Sequence, residues 1–177
     1  MQPNDTEQLS GSYFLNISVQ YAHKCIIASL GKIGGMSETF FSSKEAAEIT
    51  GCSLRQLQYW RERGVVVPPI SATGTGRSIY YSRFELTELA VMEYWLSVGL
   101  SFEVAVKALQ TLKQKAPDFS DPVVQRRFML VWDKKEKDFR LEEFDREDAI
   151  AFLDKGQPVI PVWLDTIHRT LTEKLGN

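Results

Sequence analysis

Two helix-start signatures stand eleven residues apart in "FSSKEAAEITGCSLRQLQYWRERG", which begins at Phe41. Ser42 is followed three residues on by Glu45, and Ser53 by Gln56. In each pair the serine hydroxyl can accept the backbone N–H of the third helical residue while that residue's side chain reaches back to the cap, a capping box. Phe41, before the first cap, and Ala46 sit at the hydrophobic staple positions. Gly51 can take the left-handed conformation that ends the first helix. Only Gly51-Cys52 then separates it from the second cap, so the two helices cannot lie antiparallel, and the spacing predicts a helix-turn-helix corner.

In the second helix Leu54 and Leu57, at i and i+3, are expected to face inward. Arg55, Tyr59 and Arg63 follow at i, i+4 and i+8 and line one outer face, with Gln56 beside it. Trp60 is expected in the core, and Gly64 ends the helix. Val65-Val66-Val67 then reads as a strand, with "IYY" from Ile79 as its partner. The polar, glycine-rich "SATGTGRS" between them forms the hairpin tip and carries Arg77. Helix, turn, helix and basic hairpin together predict a winged helix-turn-helix.

Charge supports a nucleic-acid face. The chain has 177 residues and a net charge of −2, but residues 1–39, 40–116 and 117–177 carry −1, +2 and −3. Between positions 51 and 83, Arg55, Arg61, Arg63, Arg77 and Arg83 face only Glu62, a local +4. A basic patch confined within an acidic chain is what a phosphate-binding face would look like, and a solvated surface with a chance cluster gives the same count.

The remaining elements are predicted from the same signals. Ser82 and Glu85 form a third box opening a helix that Gly99 breaks. Ser101 caps a companion running to about Lys115, with Val104, Ala105, Ala108, Leu109 and Leu112 as its apolar face, and Pro117 stops it. "DFSDPV" reads as a linker. "RFMLVWD" and "DFRLEEF" flank the polar "KKEK" as a hairpin, Asp145 caps a short helix ending at Gly156, and "PVIPV" is extended. From about Trp163 a helix carries Leu164, Ile167, Leu171 and Leu175 on one stripe, a candidate dimerisation surface. The expected fold class is mainly α, a winged helix-turn-helix with a small C-terminal α+β module. The expected divisions are a loosely ordered N-terminal extension at 1–39, the DNA-binding domain at 40–116 and the α+β module at 117–177.

Residues from about Phe40 to Leu112 resemble the DNA-binding domain of MerR-type transcriptional regulators. The resemblance is carried by "SKEAAEITGCSLRQLQYW", the "ERGVVVPP" exit, "GTGRSIYYS" in the wing and "LAVMEYWLSVGLSFEVAVKAL" behind it. It implies that Arg55 opens a recognition helix, that the Tyr59–Trp60 pair supplies an aromatic contact to the sugar-phosphate backbone, and that Arg77 carries the wing onto phosphate or minor groove. On this reading Arg55, Gln56 and Tyr59 are expected to meet the major groove and its flanking phosphates, and Arg63 is a further DNA-binding candidate. The resemblance implies too a homodimer on double-stranded DNA at an inverted repeat, distorting a promoter spacer for RNA polymerase. Three features depart from the pattern. Gln58 stands where the family has a second arginine, Ile70-Ser71-Ala72 replace the arginine after the proline, and Pro117 cuts off the long dimerisation helix.

Other functions find little support. The two cysteines, Cys25 and Cys52, form no CxxC, and Cys52 is expected to pack within the turn. Neither His23 nor His168 has a partner at metal-ligand spacing, so no metal or cofactor is expected. No nucleophile constellation, P-loop or GxGxxG supports catalysis. No apolar run reaches the roughly 18 residues of a membrane helix, and the cytoplasm is the expected location. The family's metal, iron–sulfur and large drug- or cobalamin-binding modules have no counterpart here, which leaves any small-molecule effector unassigned. Two other readings fit the same residues: an excisionase-like architectural DNA-binding protein, and a protein-interaction module acting through the acidic C-terminal region.

Overall fold

The structure is a computed structural model in which residues 39–71 and 79–176 are described. The extension at 1–38 and the glycine-rich stretch at 72–78, with Arg77, lie outside the described residues.

The caps form as the sequence dictates. Strand β1 (Phe41–Ser42) leads into α1 (Ser43–Thr50), where Ser42 and Glu45 close a reciprocal box. Gly51, at φ 85°, ends α1 by donating its N–H to the Ala47 carbonyl. Ser53 and Gln56 close the second box at the start of α2 (Leu54–Glu62). The helices α3 (Arg83–Ser97) and α4 (Phe102–Lys115) follow, capped by Ser82 and Ser101. Packing α3 against both α1 and α4 fixes the corner from behind.

The first sheet differs from expectation. Val65–Val67 is not a strand: Val65 donates to the Trp60 carbonyl, and Val66 and Pro68 are buried as the chain leaves α2. Pro68 and Pro69 have no N–H to give a ladder. Pairing therefore begins beyond them, at β2 (Ile70–Ser71), which lies antiparallel to β3 (Ile79–Tyr81). On its other side β3 pairs with β1, Phe41 opposite Tyr81, giving the order β1–β3–β2.

A second antiparallel sheet, in the order β5–β4–β6, is built from β4 (Arg127–Asp133), β5 (Asp138–Glu143) and β6 (Val159–Trp163). The β4–β5 hairpin closes at Asp133 opposite Asp138, around the expected polar turn. Phe128 and Leu130 of β4, Leu141 of β5 and Val162 of β6 face the helices, while Met129 and Val131 face Ala149 of α5 (Arg146–Asp154) on the outer side. The last helix, α6 (Leu164–Leu175), packs on α1, α3 and β4.

The core does not stop at residue 116. The described residues, 39–71 and 79–176, belong to one compact unit, and a single cluster joins Leu57, Trp60 and Trp95 to Phe119, Phe128, Leu130, Leu141 and Leu164. The expected boundary thus runs through a shared core, and the polar linker "DFSDPV" contributes Phe119, which is fully buried. The stripe expected to pair two copies is likewise occupied by its own chain. Leu164 and Leu171 are buried, and Ile167 and Leu175 pack on the same core. An apolar stripe shows that a helix needs a partner surface, and here α1 and α3 supply it.

Candidate nucleic-acid interface

Leu57 and Trp60 are the residues of α2 that enter the core. Successive helical residues are about 100° apart. The opposite arc therefore presents Arg55, Gln58, Tyr59 and Glu62, all exposed. Leu54 does not face inward as expected but is 57% exposed. Three-residue steps drift around the helix, leaving Leu54 roughly 120° from Trp60 and turned out of the core.

Arg55 has no hydrogen bond or ion pair among the described residues, so its guanidinium is available to an external acceptor. Tyr59 is 41% exposed and held from one side by the Phe102 ring at the start of α4, with centroids 5.1 Å apart at 50°. The Arg63 guanidinium lies over the Tyr59 ring, 5.2 Å from its centroid. Cation–π and aromatic contacts of this kind restrain both side chains before any partner arrives. They border an open cleft of about 330 Å³ whose walls also include Glu103 and Lys107.

Gln56 occupies a different role in the geometry. Its Oε1 accepts from the Ser53 N–H at 2.7 Å, and its Nε2 donates to Glu93 of α3 at 3.2 Å. Both ends of the amide are engaged in fixing the start of α2. Gln58 is tied along the helix to Glu62 at 2.8 Å. Trp60 is buried, as expected, and anchors the helix from beneath. Cys52 is buried in the turn with its thiol directed at the Leu89 carbonyl, 3.7 Å away, and burial pushes its pKa up to about 11. It is a packing residue rather than a reactive thiol. Sequence reasoning missed Phe102 and Glu93, which hold Tyr59 and Gln56. Their partners are 43 and 37 positions away, so no local pattern reveals them.

Among the described residues there is no cluster of three potential metal-ligating His, Cys, Asp or Glu side chains. Nor is any helix among them long and apolar enough to cross a membrane.

A short capped helix, a glycine turn, a second helix whose outer arc carries Arg55 and Tyr59, and two helices bracing it from behind define a helix-turn-helix domain. Residues 41–112 match the family model described as MerR HTH family regulatory protein, so this stretch is a MerR-type helix-turn-helix domain, the class associated with DNA binding and transcription regulation. Proteins named as uncharacterized HTH-type transcriptional regulators in Mycobacterium bovis and in two strains of Mycobacterium tuberculosis are each 33% identical to this chain over 76 residues. The match covers 42% of this chain and 34% of each relative, so the chain spans about a third of the length of the curated relatives it matches.

Proposed function

We propose that this protein is a sequence-specific, non-catalytic transcriptional regulator of MerR type that binds double-stranded DNA through a winged helix-turn-helix in the cytoplasm. The observation that carries the reading is the outer arc of α2, where Arg55, unpaired among the described residues, lies beside a Tyr59 pre-positioned by Phe102 and Arg63. Arginine suits a guanine edge or a phosphate, and a tyrosine hydroxyl adds a backbone contact. In this reading Arg55 and Tyr59 meet the major groove and its flanking phosphates, Arg63 meets the backbone beside the cleft, and Arg77 brings the wing to phosphate or minor groove. Gln56 acts by fixing the helix start. A homodimer, formed through a surface other than the α6 stripe, would sit on an inverted repeat and present it to RNA polymerase.

The test is fluorescence anisotropy on labelled duplex at low and moderate salt. Affinity is expected to fall steeply with salt. Arg55→Ala is expected to weaken binding by about 1–3 kcal/mol, and Arg77→Ala to lower the salt dependence. Binding that ignores both arginines and salt would remove the DNA-facing assignment.

The internal use of the α6 stripe favours a second reading, an excisionase-like architectural protein that bends DNA without the family's coiled-coil dimer. Mapping bound sites separates the two: promoter spacers support the regulator, and clustered sites at the ends of mobile elements support the architectural protein.

A further inference from the structure

The first turn of α2 presents two side chains outward and retains the others. Ser53 and Gln56 are engaged with each other in the capping box, Gln56 is additionally tied to Glu93, and Leu57 is buried. What remains is Arg55 and Leu54. Leu54 is 57% exposed and belongs to neither hydrophobic cluster of the described residues. Isolated exposed leucines are ordinary on a protein surface. This one occupies the first helical position of the domain's second helix, beside an arginine without a partner among the described residues, and the N-terminal turn of such a helix is the part that meets base edges in the major groove.

Resting on the DNA-binding reading above, we propose that Leu54 is a specificity-determining residue that reads the 5-methyl group of a thymine next to the base pair contacted by Arg55. The thymine methyl is the one apolar feature that the major groove displays, and an apolar side chain is what recognises it. Leucine offers no donor or acceptor, so it discriminates by burying that methyl and by leaving the polar groups of a cytosine or guanine unsatisfied. Gln56, the polar residue of the same turn, has its amide committed at both ends. Sequence preference at this position therefore passes to Leu54.

Uracil substitution isolates the effect, because deoxyuridine lacks only the methyl group. Duplexes recovered from a random library by the full-length wild-type protein would be remade with deoxyuridine replacing each thymine in turn. Their affinities would then be measured for wild type, Leu54→Ala and Leu54→Gln, after melting curves confirm that the variants fold. Wild type is expected to lose affinity about fourfold at one thymine per half-site, the worth of one buried methyl group, while both variants bind thymine and uracil duplexes equally. Indifference of the wild type to every replacement overturns the proposal, as does an equal loss in all three proteins. In both cases DNA binding itself stands. If the wild type recovers no duplex at all, the DNA-binding reading falls and this inference with it.

Discussion

Replacing Lys113 tests how α2 is braced. Its Nζ lies 2.6 Å from Glu88 of α3, and the two side chains are 20% and 3% exposed. The same ammonium donates to the Val65 carbonyl at 3.4 Å, where the chain leaves α2. At an effective dielectric of about 20, unit charges at that separation attract by roughly 6 kcal/mol, offset by the cost of taking both out of water. Removing one partner of a buried pair costs about 3–5 kcal/mol, because the remaining charge stays buried. Since water reaches Lys113, Lys113→Met is expected near the lower end, about 3 kcal/mol. For a cooperative unit of this size that corresponds to a fall of roughly 10 °C in thermal midpoint. Glu88→Gln combined with Lys113→Met removes both charges and is expected to melt above the single Lys113→Met variant, a sign that follows from desolvation. Calorimetry reads both. A Lys113→Met midpoint within about 2 °C of wild type would refute the brace, since it would mean the pair contributes no more than exposed ones do.

Gln56→Ala removes a cap partner and the bond to Glu93, so it is expected to destabilise the fold by about 1–2 kcal/mol while leaving the selected DNA sequence unchanged. An unchanged melting curve with relaxed preference at one base pair would make Gln56 a base reader instead. Leu171→Asp puts an unpaired carboxylate at a buried position and is expected to lower stability by about 3 kcal/mol or more. A variant that melts normally but halves its mass in light scattering would restore the α6 stripe as a dimer surface. Acid stability follows from carboxylates held below their usual range. Asp138 is held there by hydrogen bonding to Lys107, Asp165 by Arg127, Asp133 by the Lys135 and Glu136 N–H groups, and Glu45 by Ser42. The folded chain binds these protons less readily than the unfolded one, so their stabilisation is complete above the unfolded pKa and is lost as pH falls through the folded values. Melting temperature is expected to change little through these groups from pH 7 to 5 and to drop below about pH 4. A midpoint that rises on acidification would reverse the sign.

What the sequence made legible was what neighbours decide. The three capping boxes need only residues i and i+3, and all three form. The Gly51 turn, the Pro117 stop and the hairpin around "KKEK" are equally local. The errors lie where distant packing outvotes local pattern. Val65–Val67 has strand composition, yet the burial of Val66 and the two prolines that follow turn it into an irregular connector. Leu54 has the i, i+3 spacing of a core residue, yet Trp60 fixes which side of α2 is down. Phe119 sits among polar residues in a segment with every mark of a linker, and distant packing explains its burial: its ring meets Phe84 of α3 edge-on at 5.8 Å, and His168 Nε2 of α6 donates to its carbonyl at 2.9 Å. The site shows the same division. The placement of Arg55 and Tyr59 on an outer face follows from helical spacing, whereas the Phe102 support and the engagement of Gln56 with Glu93 depend on which helices stand behind them.

Helix α4 shows why the C-terminal sheet cannot be treated as a separate attachment. Its first residue, Phe102, supports Tyr59 on the outer arc of α2. Further along, Lys107 pairs with Asp138 of β5, and Lys113 joins Glu88 to the exit from α2. Near its end, Lys115 donates to the Leu141 carbonyl of β5 at 2.6 Å. Beside it, the Tyr94 hydroxyl of α3 donates to the Pro161 carbonyl of β6 at 2.6 Å. Exposed ion pairs such as Lys107–Asp138 contribute little individually, but the apolar contacts of Leu130, Leu141 and Val162 beneath them belong to the same core as Leu57 and Trp60. A displacement of the sheet would therefore carry α4 with it, and α4 carries the ring against which Tyr59 rests. In a close-packed interior such a shift cannot be absorbed by empty space. The outer arc of α2 thus takes its geometry from residues on both sides of Pro117, and the helix-turn-helix is braced by a sheet that lies beyond the family match.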